Sequence, residues 1–455
     1  MVECSPYHST VSHHEKTIHM TAEVAILNKT AVALAADSAA TIEGRGGRQK
    51  IYNTVNKLFT LSKLQPVGIM VYGDSDFLGV PWESIIKIFR ERLAKKRYPK
   101  LSEYGTALVR FINRNRTLFP EESQKRFVRQ RIGGYLLQLT DEIDKRVKIA
   151  IDRKGIVEHK EVAAIVRGVI RTETRKFREI KPLNLGKRYR STMARKYGGG
   201  IDQTMRDICQ NLPGGRGRNQ LYQIALDLFC RDVVYWPGFV VAGFGDRETF
   251  PSVFEYQIDG MLCNKLRYVI NDEKSGTISF NRTAGVLTVA QQEEANTFVR
   301  GINDHYKNEI IGYVDDLLST IYPKAITKSL SVITEKQRKR LEKRLTKAGK
   351  RLLAMFVQSM SEYQRRRFSK PILEATSVLP KEELAAMAEA LVNLTSFKRK
   401  IFLDAETVGG PTDVAIISKG DGFVWIKRKH YFKPELNPGF AHNYYSDLSS
   451  RRRAK

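Results

Sequence analysis

Thr21, Asp37 and Lys57 are residues whose types and spacing could perform chemistry together. Thr21 follows Met20, so a chain begun at Met20 and trimmed of its methionine would expose threonine as its amino terminus. A terminal threonine holds a nucleophile and a base in one residue. Its α-amine has an unperturbed pKa of ~7.7–8.0 and can take the hydroxyl proton near neutral pH. A nearby lysine ammonium would lower the pKa of both groups, and an aspartate would fix that lysine. A backbone N–H at a glycine turn would receive the oxyanion.

Strands must bring these residues together. Residues 22–27 and 31–36 are short apolar runs around Asn28-Lys29-Thr30, which reads as a hairpin loop. With that loop Thr21 faces Asp37, their Cβ atoms ~5 Å apart, and a two-residue loop shifts the partner by one. Residues 57–61 and 66–72 form a second strand pair, with Lys57 at its start and Gly73 at its end. Residues 239–242 and 252–258 read as further strands. Residues 413–418 and 423–426 flank Lys419-Gly-Asp-Gly422, a strong hairpin signal. Helical spacing runs through residues 83–178 and 335–361, and residues 379–394 form a helix with an acidic first turn.

Taken in order, Thr21-Ala-Glu-Val-Ala-Ile-Leu, Ala33-Leu-Ala-Ala-Asp37, Lys57-Leu-Phe-Thr-Leu and Gly68-Ile-Met-Val-Tyr-Gly-Asp74 resemble the opening of a proteasome β-subunit. They are also similar to the peptidase subunit of the bacterial proteasome-like protease. The run Glu406-Thr-Val-Gly-Gly-Pro-Thr-Asp-Val-Ala-Ile-Ile resembles the late Gly-Gly strand of the same N-terminal nucleophile (Ntn) hydrolase family. The resemblance spans roughly residues 21–80, 235–300 and 375–430. It implies an α+β, four-layer αββα sandwich, and catalysis by Thr21, Asp37 and Lys57, with Lys50 as a second candidate for the lysine. Gly73 is the chosen oxyanion donor, and a stricter count from Lys57 lands near Met70. It also implies a protein or peptide substrate, a homo-oligomeric assembly and an unfoldase partner. Where the family places a supporting serine before Gly-Gly, this chain has Val408, and the nearest acid is Asp404.

The charge is uneven. The 455 residues carry 77 Lys and Arg against 49 Asp and Glu, a formal net charge of +28. Residues 87–230 hold 34 basic and 15 acidic residues, and residues 335–370 hold 13 and 3, so the remainder is nearly neutral. That pattern reads as a neutral core with two basic, mostly helical insertions. Clustered Lys and Arg neutralise phosphates, which invites nucleic acid as a partner of these insertions; a solvated helical face, or one docking an acidic protein, reads equally well. Four cysteines without a C-x-x-C pair fit a reducing, cytoplasmic setting, and no metal or cofactor is called for. No apolar run reaches the ~18–20 residues of a membrane span. Tyr197-Gly-Gly-Gly200 and Pro213-Gly-Gly-Arg-Gly217 read as loops or turns.

The expected organisation is a leader or misassigned start at 1–20 and the first half of the core at 21–85. A basic insertion at 86–230 follows, then core strands and a helix at 231–325. A basic helical segment at 326–372, a core helix and strand hairpin at 373–430, and a tail at 431–455 complete the chain. Two functions are expected from different classes: a threonine-type amide hydrolase, or a catalytically silent proteasome-like module that binds through its basic insertions.

Overall fold

The computed structural model describes residues 22–43, 49–210, 217–232, 237–290, 293–401, 409–430 and 432–439. The calls on the leader, Thr21, Asp404, Val408 and the segment 213–216 lie outside them.

The protein is α+β, with two five-stranded antiparallel sheets. In chain order the strands of the first half are β1 (Ala22–Asn28), β2 (Ala31–Ala36), β3 (Ala40–Glu43), β4 (Gln49–Tyr52), β5 (Leu58–Thr60) and β6 (Val67–Tyr72), followed by the two-residue β7 (Asp76–Phe77) and β8 (Val80–Pro81). Those of the second half are β9 (Gly238–Gly243), β10 (Ser252–Leu262), β11 (Lys265–Thr277), β12 (Ala284–Ala290), β13 (Asp413–Ser418) and β14 (Gly422–Lys427). The first sheet has the order β12-β1-β2-β13-β14 and the second β11-β10-β9-β6-β5; β3–β4 and β7–β8 are separate ribbons.

β1 and β2 are buried along their whole length, which explains their continuous Ala, Val, Ile and Leu content. Alternation sends Ala25, Leu27, Val32 and Leu34 toward Met70, Tyr72 and Val240 of the other sheet. It sends Val24, Ile26, Ala33 and Ala35 toward Leu384, Ala388 and Leu391 of helix α12 (Lys381–Ile401). The outer face of the second sheet packs on α1 (Trp82–Leu93) and α2 (Leu101–Arg114) through Trp82, Phe89, Leu108, Phe239 and Tyr256.

These contacts correct the expected boundaries. α1 and α2 belong to the sheet, so the helical unit with its own core begins at residue 121 rather than 86. That unit comprises α3 (Glu121–Lys154), α4 (His159–Glu179), α5 (Tyr189–Cys209) and α6 (Arg218–Cys230), closed around Ile132, Leu136, Val169, Met193, Ile201 and Phe229. Gly198–Gly200 lie inside α5, not in a loop. The stripe Met193, Tyr197, Ile201 and Met205 is buried on one side, and that packing outweighs the glycines' poor helix propensity. The β10–β11 hairpin turns at Cys263-Asn264, both at positive φ, the geometry of a primed two-residue turn. Its tip residue Leu262 enters the helical core.

The second helical segment starts before residue 326. Two stretches run side by side in opposite directions. One is α8 (Asp304–Asp316), a π-helical turn at Leu317–Ile321 and α9 (Tyr322–Ser329); the other is α10 (Glu335–Gln364). Lys307 meets Gln364 near the base, and Arg338 meets the Thr327 carbonyl near the tip. The first π turn precedes Pro323, which has no N–H for the Ser319 carbonyl, and Thr346 Oγ1 donates to that oxygen at 3.1 Å instead. The helices come close at Gly349, where a Cβ would lie 2.1 Å from the Leu318 carbonyl oxygen. In this arm only Pro323, Thr327 and Gly349 are buried, and Tyr313, Tyr322, Leu352, Met355 and Tyr363 are exposed. A second π turn (Arg365–Ser369) and α11 (Lys370–Val378) return the chain to the core, α7 (Glu293–Arg300) having led out of it. Among the described residues no helix is long and apolar enough to cross a membrane.

Candidate active site

The start of β1, the end of β2, the start of β13, the start of β5 and the end of β6 meet at one end of the space between the sheets. The β1–β2 turn has two residues, Lys29 and Thr30, rather than three. Asn28 stays in the strand because its Oδ1 accepts the N–H groups of Thr30 and Ala31, while its amide donates to the carbonyls of Thr376 and Leu379. The register therefore pairs Glu23 with Ala36. Asp37 lies across from Ala22, not from position 21: Ala22 N–H donates to Asp37 Oδ1 at 3.0 Å, and Asp37 N–H donates to the Ala22 carbonyl at 3.1 Å.

Lys57 comes to this point from the second sheet. Its Nζ lies 2.5 Å from Asp37 Oδ1 and 3.4 Å from Glu23 Oε1, and all three side chains are at most 5% exposed. Asp37 is held from its other side by the N–H groups of Ala39 and Gly409, at 3.3 and 3.2 Å on Oδ2. The Gly-Gly motif thus has a physical role in closing over the aspartate. Ser38 is stitched to the same loop, its N–H donating to the Gly409 carbonyl and its Oγ to that of Pro411. The lysine backbone is fixed as well, since Val71 N–H donates to the Lys57 carbonyl at 2.8 Å. Lys57 is the lysine that meets Asp37, and Lys50 pairs through its backbone with Ile42 in the β3–β4 ribbon.

Reading residue types along the strands did not single out five further charged groups. Glu23 is a carboxylate inside an otherwise apolar strand. Asp413 opens β13 opposite Ala36, so Glu23, Ala36 and Asp413 form one row across three strands. The row is on the face turned toward the second sheet, and the small alanine leaves room for charged neighbours. Asp413 pairs with Lys429, taking both its backbone N–H (2.8 Å) and its ammonium. Burial pushes the Lys429 pKa down; Asp413 opposes that shift, and Lys57 adds to it. Facing Glu23, Tyr72 OH donates to Glu255 Oε1 at 2.8 Å. Burial is the main cause raising both the Tyr72 hydroxyl and the Glu255 carboxyl pKa, and it lowers that of Lys274, 3.9 Å from Glu255.

Gly73 follows Tyr72 at φ +82°, and a Cβ there would lie 2.7 Å from Pro237 Cα. Only glycine fits this turn without strain. Since Val71 bonds to Lys57, Gly73 sits about two residues, ~7 Å of strand, beyond the lysine row. Asp74, Phe77, Trp82, Arg126 and Pro237 help line a cavity of about 350 Å³ next to this turn, walled on one side by α3.

The described residues thus bring Asp37 and Lys57 together with Glu23, and place Gly73 at the end of the neighbouring strand. Compared with known protein families and with characterised proteins, the chain matches none.

Proposed function

We propose that this protein is an amide hydrolase of the Ntn type, with a four-layer αββα core and Thr21 as its nucleophile. The observation that carries the reading is the Lys57 ammonium, buried between Asp37 and Glu23 at the start of β1. A buried ammonium is costly unless paired, and here two carboxylates hold it beside the first described residue of the strand. Thr21 directly precedes Ala22 in the chain.

In this reading the Thr21 hydroxyl attacks a substrate carbonyl and its own α-amine accepts the proton. The Lys57 charge favours the deprotonated nucleophile, and Asp37 and Glu23 position the lysine. The Gly73 N–H receives the oxyanion. The C–N bond breaks as the amine passes the proton to the leaving nitrogen, which leaves a threonyl ester. Water then adds to the ester, giving the carboxylic acid and restoring the hydroxyl. The substrate is a protein or peptide, the enzyme acts in the reducing cytoplasm as a homo-oligomer, and an unfoldase supplies its chains.

Intact mass of the natively expressed protein, followed by labelling with a peptide epoxyketone, tests the proposal. The expected result is a chain starting at Thr21 that is labelled once, with no labelling of Thr21→Ala or Lys57→Ala. A chain retaining residues 1–20, or equal labelling of the Thr21→Ala variant, overturns it.

A further inference from the structure

The hydrolase reading leaves the two-helix arm without a task, and the arm is divided by charge. Its outer half, residues 324–351, carries 11 basic and 2 acidic residues, whereas the inner half (304–323 and 352–370) carries 5 of each. On α10 the excess is continuous: Lys336, Arg338, Lys339, Arg340, Lys343, Arg344, Lys347, Lys350 and Arg351 fall within sixteen residues, interrupted only by Glu342. The acid that holds basic groups here is Glu335, 3.7 Å from Arg338 and 3.8 Å from Lys339. Lys343, Arg344, Lys347, Lys350 and Arg351 are exposed.

We infer that the outer half of the arm is a binding surface for the phosphate backbone of nucleic acid, independent of base sequence. From Lys336 to Arg351 the helix runs about 22 Å, a length along which a duplex presents on the order of a dozen charges. A membrane surface is a poorer fit. A helix that lies in a bilayer needs an apolar face to insert. The apolar positions of this stretch, Leu341 and Leu345, are partly buried, and Gly349 is taken up by the contact with Leu318. An acidic protein patch would need carboxylates at comparable density over the same length, whereas a nucleic acid supplies a phosphate charge in every nucleotide.

The test is fluorescence anisotropy of full-length protein with labelled 20-base-pair duplex DNA and 20-nucleotide RNA, across a salt series. If the five exposed residues each meet one phosphate, affinity falls about 500-fold between 50 and 200 mM salt from these contacts alone. Replacing all five with Gln then makes the logarithmic salt slope shallower by about 4–5. Replacing Lys343, Lys347 and Lys350 with Arg preserves binding. Replacing Arg167, Arg171 and Arg175 on α4 with Gln leaves the slope near wild type. The inference is overturned if the five-site Gln variant keeps the wild-type affinity and slope, or if the α4 variant removes binding instead. It is likewise overturned if polyglutamate competes as well as DNA, or if phosphatidylserine vesicles bind and neither nucleic acid does. The hydrolase reading has a separate readout, since epoxyketone labelling does not depend on the arm.

Discussion

Replacing Lys57 with methionine tests the candidate site through stability as well as activity. The two side chains are similar in length, so packing changes little, but the substitution leaves Asp37 and Glu23 buried without the ammonium between them. Breaking a buried ion pair from one side costs about 3–5 kcal/mol. Asp37 keeps the N–H groups of Ala22, Ala39 and Gly409, so its share of the loss is moderated. The companion variant Glu23→Gln in the Lys57→Met background should recover at least about 1 kcal/mol, measured as a double-mutant cycle. Urea unfolding at neutral pH, followed by circular dichroism with the m-value checked for constancy, reads both numbers. A Lys57→Met loss under about 0.5 kcal/mol, or strict additivity with Glu23→Gln, would refute the buried two-carboxylate arrangement. Epoxyketone labelling of the same variants separates the chemistry from the fold: Lys57→Met should lose it, while Glu23→Gln alone should slow it.

Other consequences follow from the same geometry. Gly73→Ala forces a Cβ to 2.7 Å from Pro237 Cα at positive φ, and should cost roughly 1–3 kcal/mol in urea unfolding while also reducing labelling. Gly349→Ala should separate the arm helices at Leu318, read as faster amide exchange and proteolysis within residues 317–351 while the sheets stay protected. Alkaline pH should destabilise the protein. Burial raises the tyrosines: Tyr197 and Tyr256 are pushed up to about 12, and Tyr72 and Tyr135 are raised as well. Unfolded tyrosine ionises near ~10, so above that pH the unfolded chain binds fewer protons and stability falls. The slope is about 1.4 kcal/mol per pH unit for each tyrosine still protonated in the fold. A melting temperature flat from pH 9.5 to 11.5 would contradict it.

The sequence alone determined much of the first two hairpins. The short apolar runs of β1 and β2, bounded by turn residues, read as a strand pair, and Lys57 and Gly73 bracket a second one. That was enough to put Asp37 and Lys57 at one site. The register needed the tertiary structure: Asn28 remains in the strand because its side chain bonds to Thr376 and Leu379, some 350 residues away, and this moved Asp37 opposite Ala22. Distance along the chain also hid Asp413 and Lys429, which reach the site only because β13 pairs with β2. Glu23 looked like an isolated polar residue until the second sheet placed an ammonium over it. Local periodicity could say that residues 83–178 and 335–361 were helical. It could not say that α1 and α2 cover a sheet, that α3–α6 close their own core, or that α10 lies against α8, α9 and the π turn between them. Helical spacing records which face is apolar, but which surface meets that face is settled by packing between segments far apart in sequence.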